Sequence, residues 1–195
     1  MPTATSSGYT SQRDRILAAA LDLIAAHGVE GMTMRQLAAA CDLNIATLYH
    51  YVGSKSDLLG AIVAERRYDE GLRRVTLPVD PALPPRARFE QFFAALATQS
   101  LGELRIWRLL IGESLRDDEV ALAEARRLSA LLEGAVDRWL ADLFPELTGD
   151  LAAAGSVVTG QLMALFLEAL LVDADPDRLA ARGAALALIL FPEPT

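Results

Sequence analysis

Residues 33–52 read TMRQLAAACDLNIATLYHYV, and the order of caps and apolar residues in this stretch decides the fold. Thr33 and Gln36 are spaced as a capping box, in which each side chain bonds the other residue's backbone N–H, so a helix begins here. Its apolar residues expected to be buried are Leu37, Ala38 and Cys41. The run 42–44 interrupts the pattern, and its last residue, Asn44, is a favoured N-cap. The stretch therefore predicts two short helices joined by a turn.

The second short helix has two different faces. At 100° per residue, one arc carries Ile45, Ala46, Tyr49 and His50, and the opposite arc carries Leu48, Tyr51 and Val52. The second arc is suited to packing, and the first points outward. Small Ala46 allows close approach to a major groove, and capping by Asn44 leaves backbone N–H groups suited to phosphate.

The basic residues support a nucleic-acid interface at this helix. Of the 18 basic residues 17 are arginine, and the single lysine, Lys55, directly follows the second short helix. An ammonium group at that place would meet a phosphate of a bound strand. Tyr49, His50 and Tyr51 add hydrogen-bonding tips at the rim. These residue types predict contact with double-stranded DNA.

Further helices flank the motif on both sides. Residues 1–9 lack an apolar period and are expected to form a flexible arm. A capping box at 11–14 starts a first helix, which Gly28 ends with left-handed backbone. Another box at 54–57 starts a helix that is expected to run on to Arg74 and to join two domains.

Prolines mark the boundary between those domains. Loss of backbone donors at Pro78, Pro81, Pro84 and Pro85 forbids a continuous helix. Beyond them apolar residues recur at helical spacing, Ala and Leu dominate, and β-branched residues are sparse. We therefore predict an all-α fold, with a three-helix helix-turn-helix domain over residues 10–70 and a helical bundle over residues 71–195.

The composition limits which class of protein, which partners and which cellular compartment can be expected. The chain has 195 residues, and its 52% hydrophobic content suffices for a folded core. The net charge of −8 argues at first sight against a nucleic-acid partner, but residues 10–70 hold six basic and eight acidic side chains, a net of only −2. Cys41 is the single cysteine and the N-terminus lacks a secretory profile, so a reducing cytoplasm is expected.

The most apolar stretch is expected to be a core helix. Residues 151–172 contain Gln161 and Glu168 and are interrupted by two glycines, which favours a buried helix over a membrane span. Elsewhere the sequence has no Gly-rich phosphate loop, no Gly-x-Ser-x-Gly and no paired Cys or His at metal-ligand spacing. We expect no enzymatic activity, no metal site and no cofactor.

Residues 31–63, GMTMRQLAAACDLNIATLYHYVGSKSDLLGAIV, resemble the signature of the tetracycline-repressor (TetR) family of transcriptional regulators. The shared features are a Thr-capped helix, a turn, a Leu-Tyr-x-aromatic-Val/Phe run, then Lys and a Leu-Leu pair. The likeness extends over about residues 10–70. It departs at 42–44, where Asp-Leu-Asn replaces the usual Gly-Val-Ser. The resemblance implies a homodimeric repressor that binds a palindromic operator and is released by a small hydrophobic effector.

The DNA contacts implied by this resemblance fall on both short helices. Thr33 and Lys55 would hold phosphates, and Arg35 would reach a base edge. Residues 45–47 would face bases, and the two tyrosines the DNA backbone. His50 fits a surface aromatic as well as a base reader. The full predicted set is Thr33, Arg35, Asn44, Ile45, Ala46, Thr47, Tyr49, His50, Tyr51 and Lys55.

The resemblance also implies that the helical bundle binds the effector and dimerises with a second copy of the chain. The residues predicted to line an apolar cavity are Phe93, Leu96, Trp107, Ile111, Met163 and Phe166, each of which also fits an ordinary core position. Gln161 and Glu168 are candidates for its polar groups or for bonds across a dimer interface. Dimerisation is expected through the last two long helices, at Gly155, Ser156, Thr159, Gly160, Leu186 and Leu190.

One alternative from another functional class stays open. A helical module of the same fold that binds a hydrophobic ligand or a protein, without DNA recognition, fits the net charge of −2 over residues 10–70. A helical enzyme would need a catalytic cluster that the sequence does not contain.

Overall fold

The computed structural model describes residues 11–66, 68–147, 149–171 and 175–192, and within these ranges it contains ten α-helices and no β-strand. The predicted all-α fold is confirmed. The predicted arm over residues 1–9 lies outside the described residues. In chain order the helices are α1 (Gln12–Gly31), α2 (Met34–Ala40), α3 (Ile45–Val52), α4 (Lys55–Glu65), α5 (Tyr68–Arg74), α6 (Pro85–Leu101), α7 (Leu104–Ser114), α8 (Glu119–Leu143), α9 (Leu151–Leu171) and α10 (Pro176–Leu190).

The chain divides into two compact units. The first contains α1 to α4 together with residues 109–124, which are the end of α7 and the start of α8. The second contains residues 68–108 and the chain from residue 125 onward. Both α7 and α8 are therefore divided between the two units.

The core of the first unit lies between α1 and α4. The buried residues of these helices are Ile16, Leu17, Ala20, Leu21 and Ile24 on α1, and Leu58, Leu59, Ile62 and Val63 on α4. Leu37 of α2 and Leu48 of α3 are also fully buried, and both short helices contact α1. Burying a leucine side chain contributes roughly 1.5–3 kcal/mol, so these two anchors hold α2 and α3 in place.

Three capping boxes fix where helices of the first unit begin. The predicted boxes at 11–14, 33–36 and 54–57 are all formed, with both reciprocal hydrogen bonds present in each. At the third box the Ser54 hydroxyl and N–H donate to the Asp57 carboxylate, and these bonds lower the pKa of Asp57. The stabilisation they provide is therefore complete at neutral pH and is lost as the pH falls through that lowered pKa.

The helix expected to run from residue 54 to Arg74 is instead two helices, α4 and α5. Helix α4 ends at its C-cap Arg66, whose N–H bonds the Ala64 carbonyl, and the apolar residues of the two helices enter different cores. Ile62 and Val63 of α4 are buried in the first unit, whereas Leu72 of α5 and Val75 just beyond it pack against the core of the second unit.

Phenylalanine side chains fill the core of the second unit. Phe89, Phe92 and Phe93 of α6 are fully buried, and Phe144 meets Phe92 edge-on with ring centroids 5.6 Å apart. Gly183 of α10 allows close packing against α6, because an added Cβ would lie 3.3 Å from Cδ1 of Phe93. These aromatic residues of α6 therefore belong to the closed core of the second unit.

Among the described residues one helix, α9, is long and apolar enough to cross a membrane. Core helices of folded domains share this composition. Val158, Leu162 and Leu165 of α9 are buried in the core of the second unit together with residues of α6 and α8. This packing fits the predicted core helix.

A close approach between α8 and α9 depends on Gly155. An added Cβ at this glycine would overlap the carboxylate of Asp137, which projects from α8. The Oδ1 atom of Asp137 is buried and has no hydrogen-bond partner in the structure. The absence of a side chain at Gly155 therefore serves packing within the unit.

Gly155→Ala is expected to lower the free energy of unfolding by about 1–3 kcal/mol, because the new methyl group displaces the Asp137 carboxylate from a packed site. In an Asp137→Ala background the same change is expected to be neutral or stabilising, because the space is open and Ala favours a helix over Gly by about 1 kcal/mol. Urea denaturation of the four proteins measures this cycle. Equal effects in both backgrounds would contradict the packing described here.

Candidate nucleic-acid interface

Helix α3 is closed at both ends by its own sequence. The Asn44 side chain accepts the Thr47 N–H at 2.8 Å, as its predicted role as N-cap requires. At the other end Gly53 has a φ of +68° and donates its N–H to the Tyr49 carbonyl at 3.0 Å. Glycine tolerates this left-handed backbone, so α3 stops after eight residues.

The two faces of α3 differ as the helical wheel predicts. Leu48 and Val52 are buried, while Ile45 and Tyr49 are 38% and 48% exposed. Ala46 and His50 are also exposed, and they lie on the same side as Ile45 and Tyr49. Thr47 and Tyr51 are half-buried at the borders of this surface. The first unit therefore presents a small residue, an aliphatic residue and two polar aromatic residues on one short helix.

Arg13 holds the C-terminal end of α3, a role that the sequence analysis missed. Its Nη1 donates to the Tyr51 carbonyl, and its Nε lies 3.5 Å from the Glu65 carboxylate of α4. A cation is favoured at a helix C-terminus, where carbonyl groups lack helical partners. Nothing in the spacing of residues 13 and 51 could have indicated this contact, because they lie 38 positions apart in the sequence.

The two predicted phosphate ligands, Thr33 and Lys55, both make hydrogen bonds within the protein. The exposed Thr33 hydroxyl donates to Gln36 Oε1 at 2.8 Å and accepts the Gln36 N–H at 3.2 Å. The half-buried Lys55 ammonium donates to the Glu30 carbonyl at 2.9 Å. An ammonium group has three donors, so this bond still leaves Lys55 able to meet a phosphate. Arg35, on the first turn of α2, is exposed.

The turn between α2 and α3 has the backbone shape that favours glycine, although glycine is absent. Asp42 has a φ of +54°, and the Leu43 N–H bonds the Ala38 carbonyl at 2.9 Å. Asp and Asn adopt left-handed backbone more readily than most residues, which is how this departure from the family pattern is accommodated.

Cys41, at the end of α2, is a buried core residue. Burial raises the pKa of its thiol, and the positive charge of Arg15 opposes this shift only in part. The thiol is therefore neutral at physiological pH and a poor nucleophile.

Four of the six residues predicted to line an effector cavity are buried, and two are half-buried. Phe93 and Leu96 belong to the core of the second unit, and Trp107 and Phe166 pack together with ring centroids 5.0 Å apart. Met163 is half-buried in that unit, and Ile111 belongs to the first unit. A cavity of about 860 Å³ lies elsewhere in the second unit and none of the six lines it. Its lining residues include Pro85, Arg86, Leu147, Asp150, Ala153, Val157, Ile189 and Phe191.

Glu168, a candidate polar group for the predicted effector cavity, accepts hydrogen bonds from two arginines. Its Oε1 accepts a hydrogen bond from Arg182 and another from Arg178 at 3.2 Å, both from α10. Among the residues that the structure describes, no three metal-ligating side chains come together.

The predicted dimer residues are divided between core and surface. Gly155, Thr159 and Leu186 are buried within the second unit, Leu190 is half-buried, and Ser156 and Gly160 are exposed. The large apolar residues exposed on the same two helices are Val157, Leu167 and Leu171 on α9, and Leu188 and Ile189 on α10. None of these five is among the residues predicted from the sequence. The signal was present, because a helix that is apolar nearly all round keeps a second apolar face after one is buried.

A family comparison matches the N-terminal helices. Residues 16–62 match the family of bacterial regulatory proteins described as the tetR family. A comparison with curated protein sequences gives no match. The predicted resemblance to the TetR family is thus confirmed on the N-terminal helices.

Solved structures share the fold over nearly the whole chain. A protein from Mesorhizobium loti described as a TetR-family regulator is 21% identical with a TM-score of 0.68, and covers 92% of this chain and 94% of its own. The reduced form of NemR from E. coli is 17% identical with a TM-score of 0.70, covering 95% and 100%. GusR from Salmonella enterica is 19% identical with a TM-score of 0.66, covering 96% and 98%. At these identities the likeness shows the fold.

Asp42→Gly is expected to raise the free energy of unfolding by about 0.5–1 kcal/mol, because glycine removes the steric cost of left-handed backbone at the end of α2. Asp42→Asn is the control: it removes the carboxylate charge but keeps a side chain that tolerates this backbone. Thermal denaturation should rank the proteins Gly, Asn, Asp in falling stability. A glycine variant no more stable than the aspartate protein would contradict a strained turn.

Proposed function

We propose that this chain, whose residues 16–62 carry the TetR-family DNA-binding domain, is an effector-responsive transcriptional repressor that binds a palindromic operator as a homodimer. The observation that carries the proposal is the surface of α3. Ile45, Ala46 and Tyr49 are exposed on a helix that Leu48 and Val52 anchor from the opposite side.

The geometry of α3 supports insertion into a major groove. Ala46 lies in the first turn and offers the least steric hindrance to a base edge, and the flanking Ile45 can contact a thymine methyl group. Tyr49 lies one turn further along the same face, where its hydroxyl can reach the DNA backbone. Half-buried Tyr51 offers only part of its ring, so we assign it a smaller share of the contact.

We propose that only a few basic side chains contact the DNA phosphates and bases. Arg35 on α2 and Lys55 on α4 flank α3 in the sequence and are the basic side chains that we propose to contact DNA. Each phosphate neutralised releases a counterion, so binding through so few cations should depend only moderately on salt. Two copies of α3 would occupy successive major grooves, about 34–36 Å apart.

Dimerisation is supported by an exposed apolar stripe on α9. Val157, Gly160, Leu167 and Leu171 recur at helical spacing on its surface, and α10 adds Leu188 and Ile189, which are 57% and 70% exposed. Monomeric proteins rarely leave such a contiguous apolar surface in water. We propose that this surface, the α9–α10 apolar face, packs against the same face of a second copy.

The effector is proposed to be a small hydrophobic molecule that binds the second unit. Its core is rich in aromatic side chains, and Trp107 and Phe166 already form a ring pair that an apolar guest can join. Such a guest would favour the conformation in which a cavity is open there. The change that it causes in the free energy of DNA binding is limited by the difference between its binding free energies for the two conformations. The predicted functional division, with DNA binding in residues 10–70 and ligand binding and dimerisation in residues 71–195, forms part of this proposal, as do a cytoplasmic location and the lack of enzymatic activity.

The second candidate function is a ligand- or protein-binding module without DNA recognition. It is favoured by the excess of two acidic side chains over residues 10–70. A gel-shift assay against the DNA upstream of the protein's own coding sequence separates the two candidates, because only the repressor retards that DNA.

Lys55→Ala is expected to weaken binding to every duplex and to reduce the slope of log K against log salt by about one counterion per subunit, because each subunit loses a phosphate contact. Arg35→Ala is expected to relax the preference at one base step of each half-site by about 1–3 kcal/mol while changing other positions little. Fluorescence anisotropy with operator and scrambled duplexes measures both effects. Unchanged affinity in both variants would refute the assignment of these side chains.

Leu188→Glu is expected to convert the dimer to a monomer at micromolar concentration, because the interface would bury an unpaired carboxylate. The matched control is Leu115→Glu, which adds the same charge at a leucine that is 81% exposed in the first unit. Sedimentation velocity should show a dimer for the control. A dimeric Leu188→Glu protein, or a monomeric wild type, would exclude the α9–α10 apolar face as the interface.

A further inference from the structure

The last turn of α1 has an unusual construction. Gly28 has a φ of +74° and a ψ of 167°, so the helix bends there and continues through Val29 to Gly31. The Gly28 carbonyl then accepts the Met32 N–H at 3.2 Å, which closes the segment. We refer to residues 28–31 as the Gly28–Gly31 turn. At its bend the Val29 N–H is released from the helical ladder and is bonded instead by a side chain.

That side chain belongs to Glu113, near the end of α7. Glu113 is only 4% exposed, and its Oε1 accepts the Val29 N–H at 3.2 Å and Nη1 of Arg116 at 3.0 Å. A buried carboxylate without such donors is costly, and hydrogen bonds to a charged acceptor are stronger than neutral ones. The carboxylate therefore fixes the distance between the end of α7 and the Gly28–Gly31 turn.

The main chain of Glu113 also shapes the end of α7. Its carbonyl accepts the Arg116 N–H at 2.9 Å and the Asp118 N–H at 3.2 Å, with Asp117 in left-handed backbone at a φ of +62°. The carboxylate of Asp118 then caps α8 by accepting the Ala121 N–H at 2.8 Å. Glu113 is thus part of a rigid connection between α7 and α8, and its side chain cannot follow α1 without moving that connection.

Lys55 holds the same turn from the other side. Its ammonium donates to the carbonyl of Glu30, the residue next to Val29. Lys55 is the first residue of α4, and α3 ends only three residues earlier, at Val52. Two neighbouring residues of the Gly28–Gly31 turn are therefore bonded by side chains from α7 and from the junction of α3 with α4.

We propose that Glu113 and Lys55 are positioning residues, which through the Gly28–Gly31 turn tie the placement of α3 to the end of α7. The significance for regulation rests on the proposed function. Helix α7 begins in the second unit and ends in the first. Because the rise per residue of a helix is fixed, a displacement of the beginning of α7 along its axis also displaces Glu113. A displacement of about 1 Å would stretch the bond to Val29 beyond hydrogen-bonding distance. By this route a motion of the second unit, which we propose to bind the effector, would change the position of α3, which we propose to contact DNA.

The experiment compares Glu113→Ala and Glu113→Gln with Ser114→Ala as matched control. The control removes a buried hydroxyl from the same turn of α7, one that has no hydrogen-bond partner in the structure. Residue-resolved amide exchange on the DNA-free full chain reports the Val29 amide and the amides of α3. Anisotropy with a duplex selected by the wild type from a random library reports affinity.

In Glu113→Ala the Val29 amide should exchange about tenfold faster or more, the equivalent of a lost charged hydrogen bond. The amides of α3 should also exchange faster, and duplex affinity should fall about three- to tenfold with an unchanged salt slope, since no phosphate contact is removed. Glu113→Gln keeps the side-chain shape and an acceptor oxygen, so it should show the same effects in weaker form. Ser114→Ala should match the wild type.

Two results would overturn the proposal. One is a Val29 amide whose exchange is unchanged in both Glu113 variants. The other is faster exchange at Val29 with wild-type exchange in α3, which would make the Glu113 bond purely local. Should the wild type select no duplex, the proposed function fails, and exchange in α3 still decides whether Glu113 positions that helix.

Discussion

Helix α3 has only eight residues, and a helix of that length is not stable in water without tertiary contacts. Its existence depends on the burial of Leu48 and Val52 against the α1–α4 core, with Asn44 and Arg13 satisfying its two ends. Because the inward face supplies the stability, the outward face is free to carry residues chosen for contact. The inward face of α3 thus stabilises the helix, and the outward face forms the surface that we propose to contact DNA.

The same constraint explains the roles of the polar groups around α3. Lys55 bonds the Glu30 carbonyl, Thr33 caps α2, and Arg13 bridges α3 and α4. Each fixes a helix end, and a helix held at its ends meets a groove without first losing conformational freedom. A network that orders the free protein in this way also offers places where α7 can alter it, of which Glu113 is the clearest.

Features set by neighbouring residues could be predicted from the sequence, and features set by distant ones could not. The three capping boxes, the faces of α3 and the all-α fold follow from spacings of three or four residues. The Arg13 bond to Tyr51 and the Glu113 bond to Val29 join residues 38 and 84 positions apart, so no local pattern contains them. The end of α4 at Arg66 has no cap signal in the sequence, so the sequence predicts that the helix continues. Of the residues predicted for a dimer interface, Gly155 and Leu186 are buried within the second unit, because a helical wheel of α9 or α10 cannot tell which of its apolar faces the unit itself covers.

The central claim is that the exposed face of α3 enters DNA, and cross-linking from position 46 tests it most directly. A photoreactive residue placed at Ala46 should cross-link to bases of a bound duplex, while the same residue at Ala123, another exposed alanine of the first unit, should not. This result would place α3 in the groove. A protein that binds the duplex but cross-links from position 123 and not from position 46 would contradict the account.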